Sequence, residues 1–201
     1  MLMRPVRVIN DVIKRYPLAT SMTVTCSKAG AADFLVQRFI ERREDLDRRR
    51  LATFFAFGFF YQGGFQYFLF NRVFERWFPG QSFRAIVQKI VTTNLIADPV
   101  FFFPTFYTIK EGLGRDPKEA FSFDTVTTAL RNYYGNCFND WRNTWSFWLP
   151  GHCITYGLCP IHLRMPWVAL SSFGYVALLS FTRGGATVKA EVQQRAAVDP
   201  A

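Results

Sequence analysis

Residues 51–70 read LATFFAFGFFYQGGFQYFLF, a stretch of 20 residues without a charge. A helix of that length covers the roughly 30 Å of a bilayer's hydrocarbon core. Gly58, Gly63 and Gly64 near its middle weaken helix propensity but let a second backbone come close. Outward from this stretch, charge is gathered at 38–50, at 110–119 and at the chain ends, with long apolar blocks between. The mean hydropathy near zero hides that segregation, which marks a small polytopic membrane protein.

Composition points the same way. Half of the 201 residues are apolar and 18% are aromatic, with 23 Phe. A single domain of this size cannot hide so much aromatic surface from water, so the surplus faces lipid or a partner's apolar surface. The net charge of +9 belongs to basic residues that flank the apolar blocks. Anionic headgroups are the partners this arrangement suits. No RNA-binding signature or zinc-finger spacing is present, so no direct nucleic-acid partner is expected. The four cysteines form no CxxC pair and read as reduced, buried thiols. The opening MLMRPVRVINDVIKRYP has four basic residues, one acid and apolar residues between, like a mitochondrial address or a basic interfacial helix.

Three further spans are expected. Residues 16–39 hold a small-residue run, CSKAGAADF, with Lys28 and Asp33 inside it. Residues 83–106 carry Lys89, Asp98 directly before Pro99, and Pro104. The last span covers 165–181. Between them, ERREDLDRRR (41–50) reads as a solvated turn and Pro79–Gly80 as a tight one. Residues 123–148 are helical in period but too polar for a simple span, and read as an amphipathic interfacial helix. The expectation is all-α: an integral membrane bundle of about four transmembrane helices plus that interfacial helix. Residues 1–15 form a basic segment, 16–183 the bundle and 184–201 a polar tail. Lysine and arginine divide too evenly between the two sets of loops to orient it.

Candidate site residues follow from the cost of charge in lipid. Lys28, Asp33, Lys89 and Asp98 must face the bundle interior, either paired with each other, Arg142 or Arg164, or lining a wet path. The stretch TWSFWLPGHCITYGLCPIHLRMPW (144–167) reads as a knot at the membrane interface. In it Trp145, Trp148, Arg164 and the nearby Arg142 are candidates for lipid headgroups, cardiolipin among them. His152, Cys153, Cys159 and His162 are ligand types, but H-C-x5-C-x2-H is not a zinc pattern, and no metal or cofactor is expected. No nucleophile elbow, phosphate loop or carboxylate pair is present, so no enzyme is expected.

Several landmarks fall in one order. They are Tyr16–Pro17, Gly30 with Asp33 and Gln37, Asp47 with Arg50, Gly58 with Gly63, Lys89 ahead of TNLIADP, W-x-F-W-x-P at Trp145–Pro150, Pro160 with Arg164, and LLS at 178–180. From about Tyr16 to Arg183 the chain resembles the twenty-two-kilodalton peroxisomal membrane protein family, whose mitochondrial branch is the Mpv-seventeen type. Thr93 and Asn94 stand where that family has Asp and Gln, and Tyr67 where it has His. The resemblance implies a bundle in the mitochondrial inner membrane, or alternatively the peroxisomal membrane, with channel-like conductance in some members and no catalytic residue. Two function classes follow. In the first, favoured by the surplus aromatic surface and the drift of polar positions, the chain is an accessory subunit of a respiratory or ATP synthase complex. In the second it is a channel or small-solute transporter. A lipid- or nucleoid-tethering role is the weaker third. Paired charges and a sealed centre would mark the subunit, unpaired charges around a path the channel.

Overall fold

The computed structural model describes residues 3–174. Among these the chain is all helix. The segment α1 (Met3–Arg15) ends at Tyr16, where the following Pro17 keeps the backbone out of the helical region (φ −130°, ψ 58°). Helix α2 starts at Pro17 and runs to residue 40, its last turn (Val36–Ile40) widened to a π turn. Helix α3 covers 48–77, α4 Phe83–Leu113 and α5 Phe123–Gly157. After a 3-10 turn (Ile161–Leu163), α6 occupies 164–174.

Helices α3, α4 and α5 each begin where the sequence supplies an acceptor for their open N–H groups. The Asp47 carboxylate takes the Arg50 N–H at 2.9 Å, Ser82 Oγ that of Ala85 at 3.3 Å, and Ser122 Oγ that of Thr125 at 3.2 Å. The turn before α4 closes at Gly80, whose φ of +83° suits glycine.

The helices run back and forth, so the molecule has two ends. One holds the 41–47 and 114–122 turns, tied by Arg49, which donates to the Gly112 and Arg115 carbonyls at 2.9 and 2.7 Å. The other holds α1, the 78–82 turn and the 158–163 turn. Asn10 on α1 meets His162 at 3.0 Å there.

Helices α2 and α3 lie backbone to backbone. Ser21 Oγ donates to the Gly63 carbonyl at 2.9 Å and Thr25 Oγ1 to that of Gly58 at 2.7 Å. A Cβ on Gly58 would sit 2.6 Å from the Thr25 carbonyl oxygen, so only glycine permits the approach.

Helix α4 is wound with i→i+5 bonds over Thr93–Phe102. In that pattern the Asn94 carbonyl should receive the N–H of residue 99, and the Pro99 carbonyl that of residue 104. Both donors are missing, because both residues are proline. Helix α5 replaces them: Trp145 Nε1 donates to the Asn94 carbonyl at 3.1 Å and the Tyr133 hydroxyl to the Pro99 carbonyl at 3.0 Å. This satisfies freed carbonyls as a proline-broken helix in lipid requires.

Three expectations need revision. Helix α5 is one element of 35 residues that runs through Pro150, and its Trp face packs against α4 instead of ending as an interfacial helix at Trp148. Pro150 therefore breaks nothing, while Pro160 does end the run. Among the described residues one helix, Phe83–Leu113, is long and apolar enough to cross a membrane by length and composition, where about four spans were expected. Residues 51–70 lack charge, but Gln62, Gln66, the tyrosines and the glycines dilute their hydropathy; Lys28, Asp33 and Arg38 do the same for α2. Of the cysteines, Cys153 is exposed and the others half-buried; all four are free. The LLS motif at 178–180, the end of the expected last span and the 184–201 tail lie outside the described residues.

Candidate functional site: a polar seam inside the bundle

Polarity is inverted relative to a water-soluble domain. On α4, Val87, Val91, Leu95, Ile96 and Val100 face outward, exposed by 39 to 56%. On the same helix Lys89, Thr93, Asn94 and Asp98 face inward and are buried. Ser21, Thr25, Asp33 and Gln37 on α2 are buried as well, while Phe34, Leu35 and Phe39 beside them are exposed. Water would favour the opposite arrangement, and a hydrocarbon surround favours this one.

The inward groups form a seam that ends, beside the 78–82 turn, in an ion cluster. Glu75 Oε1 accepts from Lys89 Nζ and from Arg164 Nη1, both at 2.5 Å. Lys89 also donates to the Gly80 carbonyl at 2.9 Å. Lys89 and Arg164 are 0% exposed, so one carboxylate serves two buried cations from α4 and α6. Burial alone would push the Glu75 carboxyl up; the hydrogen bonds and charges of Lys89 and Arg164 outweigh that and hold it below the usual carboxylate range. Arg164 also lies over the Tyr156 ring, 5.4 Å from its centroid. One turn on, the Tyr156 and Thr93 hydroxyls bond at 2.8 Å. Beyond them Asp98 is buried without an ion pair or side-chain hydrogen bond among the described residues, within electrostatic reach of Tyr61 and Tyr156. Asn94 Oδ1, Asn71 Oδ1, Gln62 Oε1 and His152 Nδ1 are buried without partners. Towards the 41–47 end an apolar groove of about 560 Å³ opens between α3, α4 and α5, lined by Thr53, Phe57, Tyr61, Pro104, Thr108 and Leu130.

A second polar knot closes the α2–α3 turn. Asp33 pairs with Arg50 Nε at 2.7 Å and accepts from Gln37 Nε2 at 2.7 Å. Gln37 Oε1 in turn receives the Asp47 N–H at 2.7 Å.

The expected intraspan charges thus divide. Asp33 finds Arg50, and Lys89 finds Glu75; none of the four pairs with another or with Arg142 or Arg164. Lys28 is half-buried and, like Asp98, has no ion pair among the described residues. Of the headgroup candidates, Arg142 is exposed, Arg164 is enclosed with Glu75, Trp145 turns its N–H inward, and Trp148 stacks on His152 with centroids 5.1 Å apart. His152 is buried against Phe70 and Tyr156, His162 is held by Asn10, and Cys153 points outward, so these ligand types do not converge. Among the described residues no three His, Cys, Asp or Glu side chains group as a metal site. Sequence reasoning missed Glu75 and Tyr133. Glu75 is the acid that directly follows the aromatic run, and Tyr133 follows from asking which donor serves a carbonyl left open by Pro104.

The described residues form a small all-α bundle whose polarity suits a membrane protein. No family model matches the chain, and no solved structure does. Curated proteins similar over most of its length include the following three. An Mpv17-like protein of Xenopus laevis is 23% identical over 178 residues, 88% of this chain and 82% of the relative. Protein SYM1 of Debaryomyces hansenii is 22% identical over 180 residues, 85% of this chain and 84% of the relative. PXMP2/4 family protein 2 of Dictyostelium discoideum is 23% identical over 175 residues, 84% of this chain and 86% of the relative. These relatives, named for Mpv17, SYM1 and PXMP2/4, are distant homologues of the chain over most of its length.

Proposed function

We propose that the protein is a multi-pass bundle of the mitochondrial inner membrane that conducts small solutes along the seam between α3, α4 and α5. The four expected spans correspond to α2, the 51–70 part of α3, α4 and the helix beginning at 164, with α5 running beside α4. One observation carries the conducting role: on the facing helices α3 and α4, Gln62 Oε1, Asn71 Oδ1 and Asn94 Oδ1 are buried without partners, and Asp98 is buried without an ion pair or side-chain hydrogen bond among the described residues. Such groups are hydrated in folded proteins, and a hydrated row inside an apolar bundle is a path. The kinship with the Mpv17/PMP22 family, in which conductance is the implied activity, favours this reading over the accessory-subunit one. Purified protein in planar bilayers should show discrete conductance, and Asp98→Asn should change its amplitude or ion preference while the protein remains folded. Absence of conductance from monodisperse wild-type protein would reject the channel.

The subunit reading keeps one argument of its own. Phe60, Phe68 and Phe138 are exposed by 68, 57 and 74%, which gives apolar surface that a partner would cover as well as lipid does. Native mass after gentle extraction separates the two: co-migration with a respiratory or ATP synthase complex supports the subunit, a small free species the channel.

A further inference from the structure

The two ends of the molecule differ in a way that the sequence order conceals. Around the 41–47 and 114–122 turns, Arg42, Arg43, Arg48 and Lys118 stand among Glu44, Asp45, Asp116 and Glu119, so the charges nearly balance. At the opposite end the fold gathers Arg7, Lys14, Arg15, Arg72, Arg76 and Arg84, all exposed. Against these six the described residues of that end offer one exposed acid, Asp11, because Glu75 is already committed to Lys89 and Arg164.

Apolar surface accompanies this charge. Helix α1 places Val8, Ile9 and Val12 along one side and Arg7, Asp11, Lys14 and Arg15 along the other. It rests on the 161–163 turn through Asn10 and His162, leaving Val8, Ile9 and Val12 exposed by 62, 59 and 50%. Trp77 and Phe83, at the same end, are exposed by 62 and 84%. A short helix with a basic face and a bare apolar face, beside exposed aromatic side chains and arginines, has the design of an element lying in the headgroup layer.

We propose that this end is a seat for anionic phospholipid, with α1 lying in the headgroup layer. Val8, Ile9 and Val12 meet the acyl chains, and Lys14, Arg15, Arg76 and Arg84 bind the phosphates. This rests on the membrane placement and is independent of conductance. It moves the headgroup contact away from Arg164, which the Glu75 cluster encloses, and from Trp145, whose N–H serves a backbone carbonyl.

The test is lipid retention by the full chain purified in mild detergent. The protein is incubated with equal amounts of phosphatidylglycerol and phosphatidylcholine, and bound lipid is read by native mass spectrometry. Wild type should retain the anionic lipid about fivefold or more over the zwitterionic one. Combined Lys14→Gln, Arg15→Gln, Arg76→Gln and Arg84→Gln should abolish that preference. Arg42→Gln, Arg43→Gln, Arg48→Gln and Lys118→Gln together remove as many charges from the balanced end and should leave it intact. All eight side chains are exposed, and helicity and monodispersity confirm folding of each variant. Retention of both lipids without preference, or equal loss in both variants, overturns the seat alone. Retention of neither lipid by wild type overturns the seat and the membrane placement together.

Discussion

Glu75 is the residue on which the basic end depends. Removing its charge leaves two buried cations sharing no counter-ion, and breaking a buried pair by one partner costs about 3–5 kcal/mol. Glu75→Gln should therefore lower the detergent-solubilised unfolding temperature sharply, by more than Glu44→Gln on the exposed 41–47 turn; comparable melting of the two would show the cluster to be dispensable. The pH dependence follows the same residue. Its folded carboxyl lies below the ordinary range, so its contribution is present above the unfolded value and is lost as pH falls through the lower, folded one. Unfolding monitored against pH should accordingly steepen only in acid, and Glu75→Gln should flatten that limb. Trp145 is a second case. Trp145→Phe keeps the ring and deletes the N–H that serves the Asn94 carbonyl, at a cost of about 1–3 kcal/mol. A headgroup role would predict almost no change in stability.

At the scale of elements, the glycines divide by what faces them. A Cβ at Gly58 would press on the Thr25 backbone and on Ala29, and one at Gly63 on Met22 and Thr25. At Gly30 the obstacle is the half-exposed Phe55 ring, which can swing aside. Gly58→Ala should therefore destabilise by about 1–3 kcal/mol, and Gly30→Ala by clearly less; equal losses in thermal unfolding would contradict the packing. Much of this scale was legible in the sequence. The helix over 51–70, its glycines, the break at Pro79–Gly80 and the proline-freed carbonyls of α4 all follow from residue type. The length of α5 was not, because Arg131, Asp140 and Arg142 imitate an interfacial pattern. Of these, Asp140 instead serves α4, accepting from the Tyr107 hydroxyl at 2.6 Å. Pairing partners were also illegible, since Arg50 and Glu75 lie near span ends and meet Asp33 and Lys89 only once the turns fold back.

At the scale of the whole molecule, the proposed membrane placement puts the two ends on opposite sides of the membrane. In a cysteine-free background, Arg43→Cys and Lys14→Cys should react with an impermeant thiol reagent from opposite faces of oriented vesicles. Labelling from one face would reject the bundle as a crossing structure.

The contact between α3 and α4 differs from the others. Helices α2 and α3 are bonded along their length through Ser21 and Thr25, and α4 and α5 through Tyr133, Trp145 and Thr93. Between α3 and α4, hydrogen bonds and ion pairs among the described residues occur only at the extremities, at Arg49 and at Glu75. The middle is ring contact without directional bonds: Phe57 and Tyr61 lie tilted against Phe102, and Phe65 meets Phe101 edge-on. Rings slide past one another at little cost while directional bonds do not. The molecule is therefore two stiff hairpins riveted at top and bottom over a lubricated midline, so its widest displacement belongs at mid-membrane, where Asp98 sits.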